Sequence, residues 1–359
     1  MAANLDQDLE TGVGTVFSVR ESMWHRDGHV LTEAPSLKKA LKLAGHNFEV
    51  DLLEMHFSKP LRRRARDGQW YGDSVDVKLP DHRAVVRTDR WAPLGVVGNE
   101  YHVVQNAEAF AILEPLLDAG LVQLETGGTL RGGRDVWMQV RLNIDHPVVQ
   151  QVEAELGARP LVFVYNNHTG SRKLTIKEAW ERIVCANTLE IAFGQGGRRE
   201  SVRHTTGAKV RLVDAAQRMF ANLTDRHVTA AQQFQVLRGR YLDEQMFERL
   251  VLDVVAPLPK VVASAKELTP RQVGALQRIE TRRARLVELR SAGDGHTGDG
   301  SAWECYNALT QSLDHDVELW RVRGGERTAA ASFGRLAQMK VLVLKNLLTP
   351  TWRQIPIVY

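Results

Sequence analysis

The sequence predicts an α+β protein: an N-terminal mixed region with an antiparallel sheet and a β-β-β-α unit, followed by a mainly helical C-terminal region. Three observations lead there. Apolar residues alternate with polar ones in short runs before residue 180, the period of a strand. From about residue 208 few breakers interrupt helical spacing. Between them, Gly194, Gly196, Gly197, Arg198, Arg199, Arg203 and Gly207 mark a linker. The expected division is a flexible N-terminus (1–20), an α+β domain (21–200), a helical region (208–350) and an extended tail (351–359).

In chain order, Ser36 is an N-cap for a helix over 37–44 that Gly45 stops. Residues 48–55 read as a strand. Lys59, Arg62, Arg63, Arg64 and Arg66 follow, five basic residues within eight, then Gly68, Trp70 and Tyr71. Residues 75–79 and 83–87 read as a hairpin around Pro80-Asp81, and 94–97 as a further strand. Asn106 opens a helix over 107–119 with Phe110, Leu113, Leu116 and Leu117 on one face. Strands are expected at 121–126, 136–142, 161–165 and 172–176, with glycine pairs at 127–128 and 132–133 forming a turn or tip, a short helix at 147–156, and a helix at 177–192. The last of these completes the β-β-β-α unit. Helices are then expected over 208–237 and 241–255, over 271–289 behind the Thr269-Pro270 cap, from the Ser301 cap to about 314, and over 329–348.

Bulk properties exclude several classes. The chain has 359 residues, is 43% hydrophobic and 25% charged, and carries +4 formally, values ordinary for a globular protein and unlike disorder or fibre. No apolar run approaches the ~20 residues that span a bilayer, and the polar start lacks a signal-peptide pattern. Cytoplasmic residence without membrane association is therefore expected. Two cysteines, Cys185 and Cys305, are too few for a disulfide framework. Phosphate-loop, dinucleotide-fold, nucleophile-elbow and zinc-protease motifs are missing, so no cofactor is expected.

The small net charge conceals an asymmetry. Residues 1–180 hold 21 basic and 24 acidic side chains, and residues 181–359 hold 26 and 19. Over 131–211 there are 13 basic against 8 acidic. The candidate nucleic-acid contacts within that stretch are Arg131, Arg134, Arg141, Arg172, Lys173, Lys177, Arg182, Arg198, Arg199 and Arg203, at expected strand tips, in turns or in the linker. Each phosphate neutralised by such a side chain releases counterions and gives salt-dependent affinity. Trp137 and Tyr165 can stack on bases if they face outward, although alternation with Leu161 and Phe163 points Tyr165 inward. Two catalytic alternatives exist. Asp294, His296, Asp299, Asp314 and Asp316 are a metal-type set for a nuclease, though acids at helix ends ordinarily just face water. Cys185 and His168 are a thiol–imidazole pair, though a cysteine in an apolar run is ordinarily buried.

The chain also resembles the phage/plasmid-like proteins, a domain-of-unknown-function family found in phages, prophages and plasmids. The likeness rests on Met23-Trp24-His25 with Gly28, Thr88-Asp89, the run Leu94-Gly95-Val96-Val97-Gly98 with Tyr101 and Gln105-Asn106, the run 182–188 (Arg182, Cys185, Asn187, Thr188), and Tyr306-Asn307-Ala308 through Asp314-His315. It covers roughly residues 20–345 and implies a setting in DNA or RNA metabolism, with no catalytic residue. The β-β-β-α unit is further similar in architecture to single-strand annealing proteins of the Red-beta and eukaryotic annealing superfamily, which form rings or filaments. The expected function is single-stranded DNA binding, of a recombination or annealing kind, by a homo-oligomer and without catalysis. The alternatives are a metal-dependent nuclease or nucleotide-processing enzyme, and a mobile-element protein that inhibits a host enzyme.

Overall fold

A computed structural model describes residues 6–7, 11–19, 28–60, 63–64, 70–72, 74–182, 187–189, 198–257, 268–316, 318–320 and 335–349. Among these the chain runs β1 (Val16–Val19), β2 (His29–Leu31), α1 (Leu37–Leu43), β3 (Val50–Pro60), β4 (Arg63–Arg64), β5 (Trp70–Tyr71), β6 (Ser74–Arg87) and β7 (Ala92–Gly98). It continues through α2 (Asn106–Ala111), α3 (Glu114–Asp118), β8 (Val122–Leu130), β9 (Asp135–Leu142), α4 (Pro147–Leu156), β10 (Ala158–Asn167), β11 (Leu174–Arg182), β12 (Asn187–Leu189) and β13 (Arg199–Val202). The helices α5 (Ala208–Phe220), α6 (Leu223–Arg238), α7 (Glu244–Leu250), α8 (Pro270–Ala292), α9 (Ala302–His315) and α10 (Arg335–Leu348) follow. The fold is α+β, as expected, with the strands in the N-terminal half and helices at the C-terminal end.

One sheet has the order β12-β11-β10-β9-β8-β1-β2, with β13 paired to β11; a second is β3-β6-β7. The chain divides into two compact units. The first comprises Met1–Arg141, Phe163–Ile176 and Arg199–Ala221, and the second Leu142–Val162, Lys177–Arg198 and Asn222–Tyr359. These are not the contiguous domains expected from composition. The strands β10 and β11 are long and buried, and each contributes one part to either unit.

In the second unit, α9 is buried along its length from Ala302 to Leu313 and packs against α6, α8 and α10. A helix apolar on one stripe would need one partner; burial on all sides makes this the centre of its unit. Trp180, Phe234, Trp303 and Tyr306 form a continuous aromatic core there, with ring centroids 5.1–6.3 Å apart. Predicted caps are observed. Ser36 accepts from Lys39 N, Thr269 from Gln272 N and Ser301 from Glu304 N, so each satisfies an N–H that the first turn leaves orphaned.

Several expected elements differ. The segment 1–20 is not flexible throughout: β1 is buried and pairs with both β2 and β8. No hairpin turns at Pro80-Asp81. A single strand, β6, passes through it, and the register with β3 jumps from Glu54↔Arg83 to Met55↔Leu79. Proline lacks the ladder N–H, and a bulge accommodates it without reversing the chain. The helix expected over 107–119 breaks into α2 and α3 at Pro115, which sits in the first turn of α3. The helix expected over 208–237 breaks at Asn222, whose left-handed φ of 55° is one that asparagine tolerates.

The largest correction is at 177–192. Residues up to Arg182 continue β11, and Asn187–Leu189 pair back on it as β12, so no β-β-β-α unit exists there. Lys177, Glu178, Glu181 and Arg182 look like the wet face of a helix. In the structure Glu178 is fully buried and ion-paired with Arg226, and Glu181 with Arg159. Those partners come from residues distant in sequence, and they let a charged segment lie inside a sheet. Part of the expected linker likewise is β13. Cys185 and the tail at 351–359 lie outside the described residues.

The turn between β8 and β9 offers a paired test. Gly132 has φ 75° with open space where a Cβ would stand, whereas Gly133 has φ 96° and its Cβ would lie 2.8 Å from Phe48 Cζ and 2.9 Å from Arg87 Nη1. Gly132→Ala is expected to cost about 1 kcal/mol of stability, and Gly133→Ala about 3 kcal/mol. Urea unfolding of the two variants checks this; equal losses would show that the turn is not clamped.

Candidate nucleic-acid interface

Connections β8–β9 and β10–β11 meet at one end of the first unit's sheet. The His168 N–H donates to Arg134 O at 2.9 Å, which fastens the two turns together. The Asp135 carboxylate is the hub. Its Oδ2 accepts from Arg131 Nε at 2.5 Å, and its Oδ1 accepts from Asn167 Nδ2 at 2.7 Å and from the Tyr165 hydroxyl. Burying a carboxylate costs several kcal/mol unless its lone pairs are occupied by such donors. The hydroxyl that serves it is held protonated, since burial pushes the Tyr165 pKa up.

A second clamp grips the turn from the β6 side. Arg87 is buried, lies 3.9 Å over the Phe48 ring and donates to Gly132 O at 3.1 Å. Asp89 holds the same guanidinium through two bonds of 2.7 Å, the strong bidentate geometry. Asp6 Oδ1 accepts from Gly132 N at 2.6 Å. The glycine tip is therefore rigid and largely self-satisfied.

These clamps sort the ten basic residues. Arg131 is committed to Asp135. Arg134 and Lys173 are exposed beside it, and Arg172 is half-buried, near enough to Tyr165 to act on its hydroxyl. Register adds Arg203. Glu178 N–H donates to Arg198 O, and the Thr175 and Ser201 hydroxyls meet at 3.2 Å, so the antiparallel run puts Lys173 opposite Arg203, which is exposed. Arg199 is exposed further along β13 and donates to Ser201. Arg141 is half-buried at the far end of β9. Lys177, Arg182 and Arg198 belong to the second unit. Lys177 is only 4% exposed and so is not a surface contact; the Arg182 side chain lies outside the described residues. Five of the ten, Arg131, Arg134, Arg172, Lys173 and Arg203, thus share one end of one sheet, and among those Arg134, Lys173 and Arg203 face solvent.

The aromatic candidates are not available. Trp137 stacks on Phe163 at 5.5 Å inside the core, and Tyr165 faces inward to Asp135, as strand alternation indicates. An aromatic residue of the first unit that does face solvent is Trp91, which sequence reasoning missed. It is 67% exposed with φ 49° in the β6–β7 turn, two residues past Asp89 and beside Arg90. A bulky residue held at positive φ is a costly backbone outlier. Nothing in local alternation marks it, because its exposure follows from the tight β6–β7 turn.

The metal-type set is dispersed into structural roles. Asp299 accepts from Thr297 and Ser301, Asp294 from Gln311 Nε2, Asp316 from Arg285, and Asp314 pairs with Lys340. His296 Nδ1 donates to Arg290 O at 2.8 Å. No group of three His, Cys, Asp or Glu side chains is placed to hold a metal ion among the described residues. His168 is buried against Asn106, donating to its Oδ1 at 2.7 Å. Its thiol partner Cys185 lies outside the described residues.

Four histidines are buried in the neutral form: His46 and His204 with pKa lowered to about 4, and His168 and His227 to about 3, all chiefly through desolvation. The unfolded chain binds protons near pH 6.5, so it binds more than the folded chain below that pH. Stability is full above about pH 6.5 and falls as pH drops toward about 4, each histidine contributing up to roughly 1.4 kcal/mol per pH unit. Chemical unfolding across this range in wild type and His227→Phe measures it. The variant is expected to show a shallower fall, and an unchanged slope would contradict neutral burial of His227.

Fold and site together define an α+β protein whose first unit ends in a rigid, basic turn cluster with an exposed tryptophan. The chain belongs to the family described as a domain of unknown function, DUF932, which matches residues 93–335. No curated protein and no solved structure matches the chain. The family match carries no phage or plasmid origin, and the likeness to annealing proteins rested on a β-β-β-α unit that the structure replaces with strands. No helix among the described residues is long and apolar enough to cross a membrane.

Proposed function

We propose that this protein binds single-stranded nucleic acid, DNA in the first instance, without catalysing a reaction on it. The observation that carries this is the grouping of exposed Arg134, Lys173 and Arg203 at one sheet end, with Trp91 exposed in the adjoining β6–β7 turn of the same unit. Cations track the phosphates and an exposed ring stacks on an unpaired base, the two contacts that sequence-tolerant single-strand binding requires. The clamps on Asp135 and Arg87 hold those side chains on a rigid base. That lowers the ordering cost of binding. Binding of this kind would serve strand annealing in recombination, where assembly of several copies along a strand would supply the length of the site.

Fluorescence anisotropy with a labelled single-stranded oligonucleotide at two salt concentrations tests it. Wild type is expected to bind and to weaken as salt rises. Arg134→Glu with Lys173→Glu is expected to weaken binding tenfold or more and to flatten the salt dependence. Trp91→Ala is expected to lose roughly 1–3 kcal/mol of affinity with the salt dependence unchanged. No binding at low salt, or binding indifferent to salt, would overturn the proposal.

A further inference from the structure

The β3–β6 ribbon reaches past the body of its own sheet. β7 pairs with β6 only from His82 to Arg87. Beyond that, from Met55↔Leu79 to Pro60↔Ser74, β3 and β6 pair only with each other among the described residues. At about 3.4 Å per residue these six pairs project roughly 17–20 Å. Two-stranded ribbons are marginal in water unless something covers a face.

The two faces differ. Paired residues share a face in an antiparallel ladder. Met55 with Leu79, Phe57 with Val77, and Lys59 with Val75 therefore form one apolar face ending in a cation. It is open to solvent, Phe57 being 49% and Val75 44% exposed. The opposite face is polar and internally neutralised, Glu54 pairing with Lys78 and Ser58 donating to Asp76 at 2.6 Å.

Between β3 and β6 in the chain, β4 and β5 pair as a separate two-stranded sheet, with Arg63 in register with Tyr71 and Arg64 with Trp70. Each basic residue thus has an aromatic residue as its cross-strand neighbour. In sequence, positions 59–71 hold five basic residues and one acidic, a net +4, as much as the whole chain carries. Among the described residues, exposed Lys59 and the two cation–aromatic cross-strand pairs bring positive charge and rings onto neighbouring strands, more than solubility alone requires.

We infer that this ribbon is a nucleic-acid-binding arm, and that its occupant is single-stranded DNA, with Lys59, Arg63 and Arg64 on the phosphates and Trp70, Tyr71 and the apolar face on unpaired bases. Ribbons of two strands are established as nucleic-acid-reading elements in general, and cation–aromatic alternation is the chemistry of a single-strand platform. This deepens the proposed function and rests on it, since it assigns a second contact element to the same partner.

The test uses the full chain with Arg63→Glu and Arg64→Glu combined, and separately Trp70→Ala, checked for an unchanged melting temperature. Anisotropy is measured against single-stranded and duplex oligonucleotides of the same sequence, with sedimentation on anionic vesicles alongside. The charge variant is expected to lose at least tenfold in single-strand affinity and about 1.4 units of logarithmic salt slope, the share of two phosphate contacts. Trp70→Ala is expected to lose several-fold with the slope retained. Wild type binding with both variants unchanged would overturn the arm and leave the sheet-end proposal standing. Wild type that fails to bind overturns both. Preference for duplex, or binding to vesicles alone, would overturn single-stranded DNA as the occupant.

Discussion

A buried carboxylate, that of Asp135, ties together the parts of the first unit that no single element could hold. It sits at the start of β9 and takes hydrogen bonds from the turn before it through Arg131, and from the end of β10 through Tyr165 and Asn167. An unpaired carboxylate in that position would cost more than the hydrogen bonds return, so the donors and the acceptor fix one another's positions. The two turns meet there because of this group, and the exposed cations on those turns are held near one another as a result.

The Arg87 clamp acts in the same way from the second sheet. Its guanidinium joins Phe48, Asp89 and the carbonyl of Gly132, so the end of β6 and the tip of β8–β9 behave as one rigid piece. Trp91, in the β6–β7 turn, and Arg134, in the β8–β9 turn, are both exposed. Rigidity at the base contrasts with the β3–β6 ribbon, whose outer half pairs with no third strand among the described residues. In the binding proposed above, the base would contribute a preorganised contact with the polyanion and the ribbon would contribute reach.

Charge illustrates how much placement matters. The formal +4 says little about a partner. Half of the ten basic residues first singled out share one sheet end, and three of the others, Lys177, Arg182 and Arg198, belong to the second unit. Lys177 is buried, and Arg131 is neutralised by Asp135. Meanwhile, of the basic run legible in the sequence as five cations within eight residues, Lys59 falls on β3 and Arg63 and Arg64 on β4. The partners of Glu178 and Glu181, Arg226 and Arg159, could not be read locally, because each pairing joins residues more than twenty positions apart.

Local chemistry was sufficient for the α+β class, for most element types, and for the caps at Ser36, Thr269-Pro270 and Ser301, because capping and amphipathic spacing are set within a few residues of chain. It was also sufficient to mark the basic run before Trp70 and Tyr71. It was insufficient at 177–182, where charges suggest a wet helix and the folded chain continues a buried strand, and at Pro80, where a turn signal is absorbed as a bulge. It could not show that Trp137 is core while Trp91 is surface. In each case the outcome depends on a partner distant in sequence: an arginine that neutralises a buried acid, a neighbouring strand that accepts a bulge, or a ring that stacks on the tryptophan. Such partners are brought together only by the packing of the whole chain.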